Sequence, residues 1–132
     1  MKCPLCAHEY EAVYEDERVA VALHEDWAVR GHAMVIWKTH VENISNLSID
    51  ELQELARVYQ RAERILLDLT HSDRAIVLKL GIATPHLHIH IYPVSAALTR
   101  AEVMKIIEAQ TRERSSETDR AAFVAELRAR LA

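Results

Sequence analysis

Residues 86–92 read HLHIHIY, an unbroken alternation of histidine with large apolar residues. Successive side chains of a β-strand point to opposite faces. The pattern therefore predicts a strand over 86–92 that buries Leu87, Ile89 and Ile91 and places the three imidazoles together on its other face. Pro93 is predicted to end the strand, because proline has no amide to donate to a neighbouring strand.

The three histidines cannot all bind one metal ion. A strand rises about 3.3 Å per residue, so the Cα atoms of His86 and His90 are expected roughly 13 Å apart. Zinc–nitrogen bonds are only about 2.0 Å long. One ion can bridge two neighbouring histidines, so at least one of the three has another role. The alternative is an exposed edge strand that is histidine-rich without a function.

The rest of the chain predicts an α+β fold with an antiparallel sheet and a long helix between strands. Short apolar runs at 18–23, 32–37 and 74–80 are typical of strands. A long helix is predicted to begin at the capping box of Ser48 and Glu51. Its apolar face repeats every three or four residues, at Leu52, Leu55, Tyr59, Ala62, Leu66 and Leu69.

Two C-terminal helices are predicted beyond the last strand. Thr99 and Glu102 form a second capping box, and a polar hinge at 112–119 precedes the last helix, whose apolar positions are Val124, Leu127 and Leu131. We therefore predict a domain at 1–94 and a helical extension at 95–132 packed on the same domain.

Composition excludes several classes of protein. The 132 residues carry 20 acidic and 16 basic side chains, a net charge of −4 without a basic block. Binding to a polymeric nucleic acid needs clustered Lys and Arg, so no such partner is expected. No apolar run approaches the roughly 20 residues that span a bilayer, and the first residues do not read as a secretory signal. A cytoplasmic protein without a membrane partner is the expectation.

Glycine is scarce, with only Gly31 and Gly81 present. Rossmann fingerprints and P-loops need several glycines so that backbone amides can approach a phosphate. Both motifs are excluded, so any phosphate must be bound by side chains or by a helix N-terminus.

Residues 81–93, in which Gly81 and Pro85 precede the alternating histidines, resemble the motif of the histidine-triad (HIT) family, His-φ-His-φ-His-φ-φ with φ apolar. Upstream, Gly31-His32, the apolar residues 34–36, Lys38 and His40 are similar to the family's glycine–histidine strand and the histidine beyond it. The resemblance covers about residues 1–94.

The resemblance implies a catalytic role for His88 and His90. His88 would attack the α-phosphorus of a nucleotide and form a nucleotidyl-histidine intermediate, which water or another acceptor resolves. His90 would contact the phosphate or assist the leaving group. Neutral imidazole is nucleophilic near pH 7, which agrees with this role. Members of the family usually dimerise and act on nucleoside phosphoramidates, nucleoside diphosphates or dinucleoside polyphosphates, so a homodimer is expected.

Thr84, His32 and Trp27 are candidate substrate-binding residues. Thr84 is the polar residue of the turn at 81–85, His32 lies near the site by analogy, and Trp27 can stack on a base. The chain departs from the family near His24, where an Asp usually holds ribose, and at Val94, where a basic residue is common. Two alternatives therefore stay open: a zinc-stabilised module that binds a nucleotide or phosphorylated ligand without turnover, and a metalloenzyme with His88 and His90 as catalytic ligands.

Cys3 and Cys6 form a C-x-x-C motif. A thioredoxin-type site needs a preceding strand, for which two residues leave no room. A structural zinc site needs four ligands. The resemblance implies the other two, since zinc-binding members of the family use the histidine after the second strand and the first histidine of the triad, here His40 and His86. The alternative is a pair of reduced N-terminal thiols.

Overall fold

A computed structural model describes residues 2–25, 27–108 and 116–132. It has the expected α+β architecture, a five-stranded antiparallel sheet with one long helix and two C-terminal helices. The strands are β1 Ala12–Glu15, β2 Val19–Leu23, β3 Ala33–Trp37, β4 Arg74–Leu78 and β5 His88–Val94, and the helices are α1 Ile49–Thr70, α2 Arg100–Ile107 and α3 Glu117–Leu131, with a 3₁₀ turn at Ile44–Asn46.

The histidine strand lies inside the sheet, whose order is β1-β2-β3-β5-β4. β5 pairs with β3 so that His88 faces Ile36 and His90 faces Met34, and it pairs with β4 on its other side. Strand β1 was not predicted, because it is only four residues long and only Val13 of it is buried.

The limits predicted for the histidine strand are wrong at both ends. His86 precedes β5, so only His88 and His90 share a face of the strand. Pro93 lies within β5, opposite Ala75 of β4. The reason is that pairing with β3 stops at Ile91, opposite Ala33. Beyond that point β5 has a neighbour on one side only, and proline is tolerated where its missing amide faces no strand.

The third predicted strand is shorter than expected and ends at Leu78 rather than Leu80. Leu80 and Ile82 are instead exposed on the turn that leads to His86, with 57% and 83% of their surface accessible. This turn borders the cavity described below.

Helix α1 confirms the predicted capping box and part of the predicted apolar face: Leu55, Ala62 and Leu66 are buried as predicted, whereas the buried Val58 and Ile65 were not predicted. The Ser48 hydroxyl accepts from the amide of Glu51 at 3.2 Å, and the Glu51 carboxylate accepts from the amide of Ser48 at 2.8 Å. Each side chain thereby satisfies an amide of the first turn. The residues buried against the sheet are Leu55, Val58, Ala62, Ile65 and Leu66.

The main core lies between one face of the sheet and helices α1 and α3. Leu87, Ile89 and Ile91 are buried there as predicted. Helix α3 adds Phe123, Leu127 and Leu131 to the same core and packs against α1 and β1. Phe123 was not among the apolar positions predicted for this helix. The hinge predicted at 112–119 lies in part outside the described residues.

Gly31 brings β3 close to α1 and α3. Its φ of +84° is in the left-handed region, and a Cβ at this position would lie 2.8 Å from Cγ2 of Thr70 and 3.2 Å from Cζ of Phe123. A larger residue would be strained by the positive φ and would also collide with Thr70 and Phe123. The neighbouring His32 is thereby held at the start of β3.

Among the described residues, no helix combines the length and the apolar character needed to cross a bilayer.

The prediction that residues 95–132 belong to the same folding unit can be tested at Leu127, whose surface is fully buried. We expect Leu127→Ala to destabilise the whole chain by about 2–5 kcal/mol in one cooperative transition, because it leaves a cavity in the shared core. Urea unfolding monitored by fluorescence and by circular dichroism measures this. The matched control is Glu126→Ala on the exposed side of α3, expected to change stability by less than about 0.5 kcal/mol. Separate transitions for the two segments would contradict the prediction.

Candidate active site and metal centre

Four predicted metal ligands from three parts of the chain meet at one point. Cys3 and Cys6 lie on an N-terminal turn, His40 follows β3, and His86 precedes β5. Their ligand atoms all lie within 4.8 Å of one another. The turn is closed by the amide of Ala7, which donates to the carbonyl of Cys3 at 3.0 Å.

The distances within this cluster fit a tetrahedral metal site. Sγ of Cys6 lies 3.2 Å from Nδ1 of His40 and 3.4 Å from Nδ1 of His86, and the two imidazole nitrogens are 3.1 Å apart. Zinc bonds are about 2.3 Å to sulfur and about 2.0 Å to nitrogen. In a tetrahedral site these bonds place a sulfur and a nitrogen ligand about 3.5 Å apart and two nitrogen ligands about 3.3 Å apart. The four residues can therefore hold a metal ion.

His86 is prepared as a ligand by the backbone. Its Nε2 lies 2.6 Å from the carbonyl oxygen of Trp37. A carbonyl oxygen can only accept, so Nε2 carries the proton and Nδ1 keeps its lone pair for the cluster. Burial is the main cause that lowers the pKa of His86, which favours the neutral form that a metal requires. Such an outer-shell hydrogen bond is usual for metal-bound histidines.

The same reasoning fixes the tautomer of His88. Its Nδ1 lies 2.6 Å from the carbonyl oxygen of His86, so Nδ1 is the donor, and in the neutral ring Nε2 is the unprotonated nitrogen. The side chain is partly exposed and lines a cavity. A neutral imidazole with a free Nε2 lone pair at a cavity wall can act as a nucleophile or a base.

His90 is held by a second chain of hydrogen bonds. The amide of Ala28 lies 3.5 Å from Nδ1 of His32, and Nε2 of His32 lies 2.9 Å from Nδ1 of His90. The amide of Ala28 can only donate, so Nδ1 of His32 accepts and Nε2 of His32 donates to Nδ1 of His90. The proton of His90 is therefore on its Nε2. Burial, followed by the charges of His88 and His24, lowers the pKa of His90 to about 4. His90 is therefore a neutral donor near pH 7.

The structure adds two aromatic rings that sequence analysis did not place in the site. His24 stacks on His32 with ring centroids 4.5 Å apart and planes 3° apart. Tyr92 also stacks on His32, with ring centroids 4.1 Å apart. The hairpin of β2 and β3 could have revealed His24, because Leu23 pairs with Ala33. The next residues outward, His24 and His32, are then neighbours.

The cavity beside His88 has a volume of about 380 Å³. Predicted residues His88, His90 and Thr84 border it together with His24. The remaining lining is apolar or glycine, namely Leu5, Met34, Leu80, Gly81, Ile82 and Ala83. The structure thus brings Thr84, His88 and His90 to one cavity and places His32 directly behind His90, to which it is hydrogen-bonded.

Trp27 lies elsewhere, in the main core. Only 3% of its surface is exposed, its ring meets Phe123 edge-on at 5.3 Å, and the guanidinium of Arg120 lies 4.8 Å above it. A ring enclosed in this way offers no free face to a base. This placement supports a packing role for Trp27 rather than the predicted base-stacking role.

Comparison with known proteins agrees with this geometry. Residues 7–97 match the family model described as HIT domain. Protein hit of Bacillus subtilis (strain 168) is 30% identical over 86 residues, which cover 61% of this chain and 59% of that protein. The match therefore spans less than two thirds of this relative's length.

Solved structures of histidine-triad proteins have a similar fold. A hypothetical histidine triad nucleotide-binding protein from Sulfolobus tokodaii superposes with a TM-score of 0.72 at 25% identity, covering 98% of this chain and 91% of that one. A Zn-bound histidine triad family protein from Mycobacterium smegmatis gives 0.69 at 26% identity, covering 99% and 94%.

The fold and the clustered imidazoles define a histidine-triad protein. The family match extends over more than half of the sequence, and the chain belongs to the HIT domain family.

Proposed function

We propose that this protein is a nucleotide hydrolase or nucleotidyl transferase that acts at an α-phosphorus through a nucleotidyl-histidine intermediate on His88. One observation carries the proposal: Nδ1 of His88 donates to the carbonyl oxygen of His86 at 2.6 Å, which leaves Nε2 of this cavity-lining residue as the nucleophilic atom. Membership of the HIT family supports it.

In the first step the Nε2 lone pair of His88 forms a bond to the α-phosphorus. The bond from phosphorus to the leaving group breaks, and the electron pair departs with the leaving group, which takes up a proton from solvent. In the second step the oxygen of water or of another acceptor forms a bond to phosphorus and loses its proton to solvent. The bond from phosphorus to Nε2 breaks, and its electron pair returns to Nε2 of His88. Covalent catalysis of this kind divides one displacement into two easier ones.

His90 serves as the neutral donor in this scheme. Its Nδ1 is engaged by His32 at 2.9 Å, so its Nε2–H is the group that can donate to a phosphate oxygen or to the leaving group. A pKa of about 4 keeps His90 from becoming a cation near pH 7. It therefore offers a hydrogen bond without taking a proton away from the reaction.

The cavity suits a small phosphorylated group. Its volume of about 380 Å³ lies within the range of ligand pockets. Within the described parts of the chain, the backbone amides of residues 82–84 donate to no protein acceptor, so they are available to phosphate oxygens. Thr84 supplies a hydroxyl at the same wall. His32 is proposed to act on the substrate through its hydrogen bond to His90. Trp27 is proposed to contribute by packing in the main core.

The metal cluster of Cys3, Cys6, His40 and His86 is proposed to hold a structural zinc ion. Two thiols and two imidazoles are the donor set of many tetrahedral zinc sites, and the Zn-bound relative from Mycobacterium smegmatis supports this choice. Bound zinc would supply a cross-link between the N-terminal turn and the ends of β3 and β5. Its ligand His86 also positions His88, but no bond to the reacting phosphorus involves the ion.

A homodimer is proposed as the assembly. Strand β4 is an edge of the five-stranded sheet, and 40% of the surface of its Val77 is exposed. Exposed strand edges readily pair with another chain.

We expect His88→Asn to lower turnover of nucleoside phosphoramidates by about 10³-fold or more, because the attacking atom is lost. Product formation by chromatography and the nucleotidyl adduct by intact-protein mass spectrometry measure this. His71→Asn, at the exposed C-terminus of α1, is the matched control and should retain both. Metal content and melting temperature should be unchanged in each variant.

Three results would overturn the assignment. Retained activity of His88→Asn would exclude His88 as the nucleophile. Tight nucleotide binding by the wild type without product or adduct would identify a binding module. Activity lost on chelation with a second metal per chain would identify a metalloenzyme.

We expect Cys6→Ser to lower zinc content and melting temperature together, by roughly 5–10 °C if the lost ligand costs about 2 kcal/mol. Elemental analysis and thermal unfolding measure this. A chelator should lower the melting temperature of the wild type by a similar amount and have little further effect on Cys6→Ser. His88→Asn should keep its full zinc content. Equal melting temperatures with no metal in either protein would remove the zinc site.

A further inference from the structure

A second cavity of about 500 Å³ adjoins the one at His88. The two cavities share His24 and Met34 as lining residues. A substrate whose phosphate lies against His88 and His90 can therefore extend past His24 into the second cavity.

The walls of the second cavity are acidic. Three carboxylates, Glu9, Glu11 and Glu25, line it together with Arg120, the one cation among its described lining residues. Its other lining residues are Tyr10, Leu23, His24 and Met34.

Two of these charged groups are already engaged. Arg120 donates to the carbonyl of His24 at 2.8 Å and lies over the ring of Trp27 at 4.8 Å. Glu11 pairs with Arg128 at 2.8 Å. Glu9 and Glu25 are exposed and add negative charge to the wall.

The cavity at His88 is poor in cations. Its described lining residues include neither Lys nor Arg, and the low pKa of His90 keeps that ring neutral. The ammonium of Lys79 lies 3.8 Å from the position of a Cβ on Gly81 at the cavity wall, but it already donates to Oδ1 of Asn43 at 2.9 Å. One phosphate can be accommodated by hydrogen bonds from imidazole and backbone. A second phosphate group would have to approach three carboxylates, with Arg120 as the one cation among the described residues of that wall. Like charges brought together repel.

We propose that this site, which rests on the function proposed above, selects its substrates by charge. The part of the substrate that enters the second cavity carries amine or hydroxyl donors rather than a further phosphate or carboxylate. Glu25 and Glu9 are the specificity-determining residues, and His24 marks the boundary between the two subsites. The substrate class is an ester or amide of a single phosphate whose second half is neutral or cationic.

Matched pairs of adenosine 5′-phosphoramidates test this on each half of the substrate. The first pair carries 1,4-diaminobutane or 4-aminobutyrate as the departing amine, so the far end is an ammonium or a carboxylate. The second pair carries an amino group or a phosphate at the 2′ position of the ribose. We expect kcat/KM to favour the cationic member of at least one pair by about tenfold at low salt, and the ratio to shrink as salt screens the charges.

The variants locate the effect. Glu25→Gln should reduce the cation-to-anion ratio of the responding pair about two- to fivefold, since one nearby charge is removed. Glu126→Gln, an exposed α3 residue that lines neither cavity, should leave the ratio unchanged. Ratios near one in both pairs, or equal effects of the two variants, would overturn the proposal.

Failure of the function proposed above would be seen separately, as no product from any of the four compounds. In that case the same ratios are measured as dissociation constants by calorimetry with His88→Asn and the wild type. Tighter binding of the cationic member, reduced by Glu25→Gln, would still support charge selection. Equal binding of the two members of each pair would still contradict charge selection.

Discussion

The hydrogen bonds between Trp37 and the chain at 86–87 hold the site together. The carbonyl of Trp37 accepts from Nε2 of His86 at 2.6 Å, and its amide donates to the carbonyl of Leu87 at 3.2 Å. The amide of Leu87 in turn donates to the carbonyl of Val41 at 2.7 Å. These bonds fix His86 against the end of β3 before β5 begins. Because the carbonyl of His86 then accepts from His88, one clamped peptide sets the tautomers of both the metal ligand and the candidate nucleophile.

The metal cluster extends this constraint to the N-terminus. With Cys3 and Cys6 held beside His40 and His86, the intervening Leu5 is buried against the sheet and borders the cavity at His88. Glu9 and Tyr10 follow directly and line the second cavity. Residues 5–10 thus contribute to the walls of both cavities. A metal ion at this point would stabilise the fold and shape the substrate site through the same few residues.

The sequence predicted most of the framework because its signals are local. Alternation placed Leu87, Ile89 and Ile91 in the core, and the Ser48 and Thr99 capping boxes marked the starts of α1 and α2. The C-x-x-C motif and the family resemblance together predicted four metal ligands, and these four side chains meet in space.

What the sequence missed depends on tertiary neighbours. Pro93 stays in β5 because β3 ends opposite Ile91, which no local pattern reveals. His24 enters the site through the register of a hairpin, and Trp27 is enclosed by Phe123 and Arg120 from a helix about a hundred residues away. An isolated histidine or tryptophan carries no mark of these partners.

The central claim is that backbone carbonyls fix the tautomers of His86 and His88. Long-range ¹H–¹⁵N correlation spectra of the imidazole rings near pH 7 test it most directly, with His88→Asn used to assign the signals. The account predicts that His88 carries its proton on Nδ1 with an unprotonated Nε2, and that His86 carries its proton on Nε2. A proton on Nε2 of His88, or a fully protonated His88 ring, would contradict it.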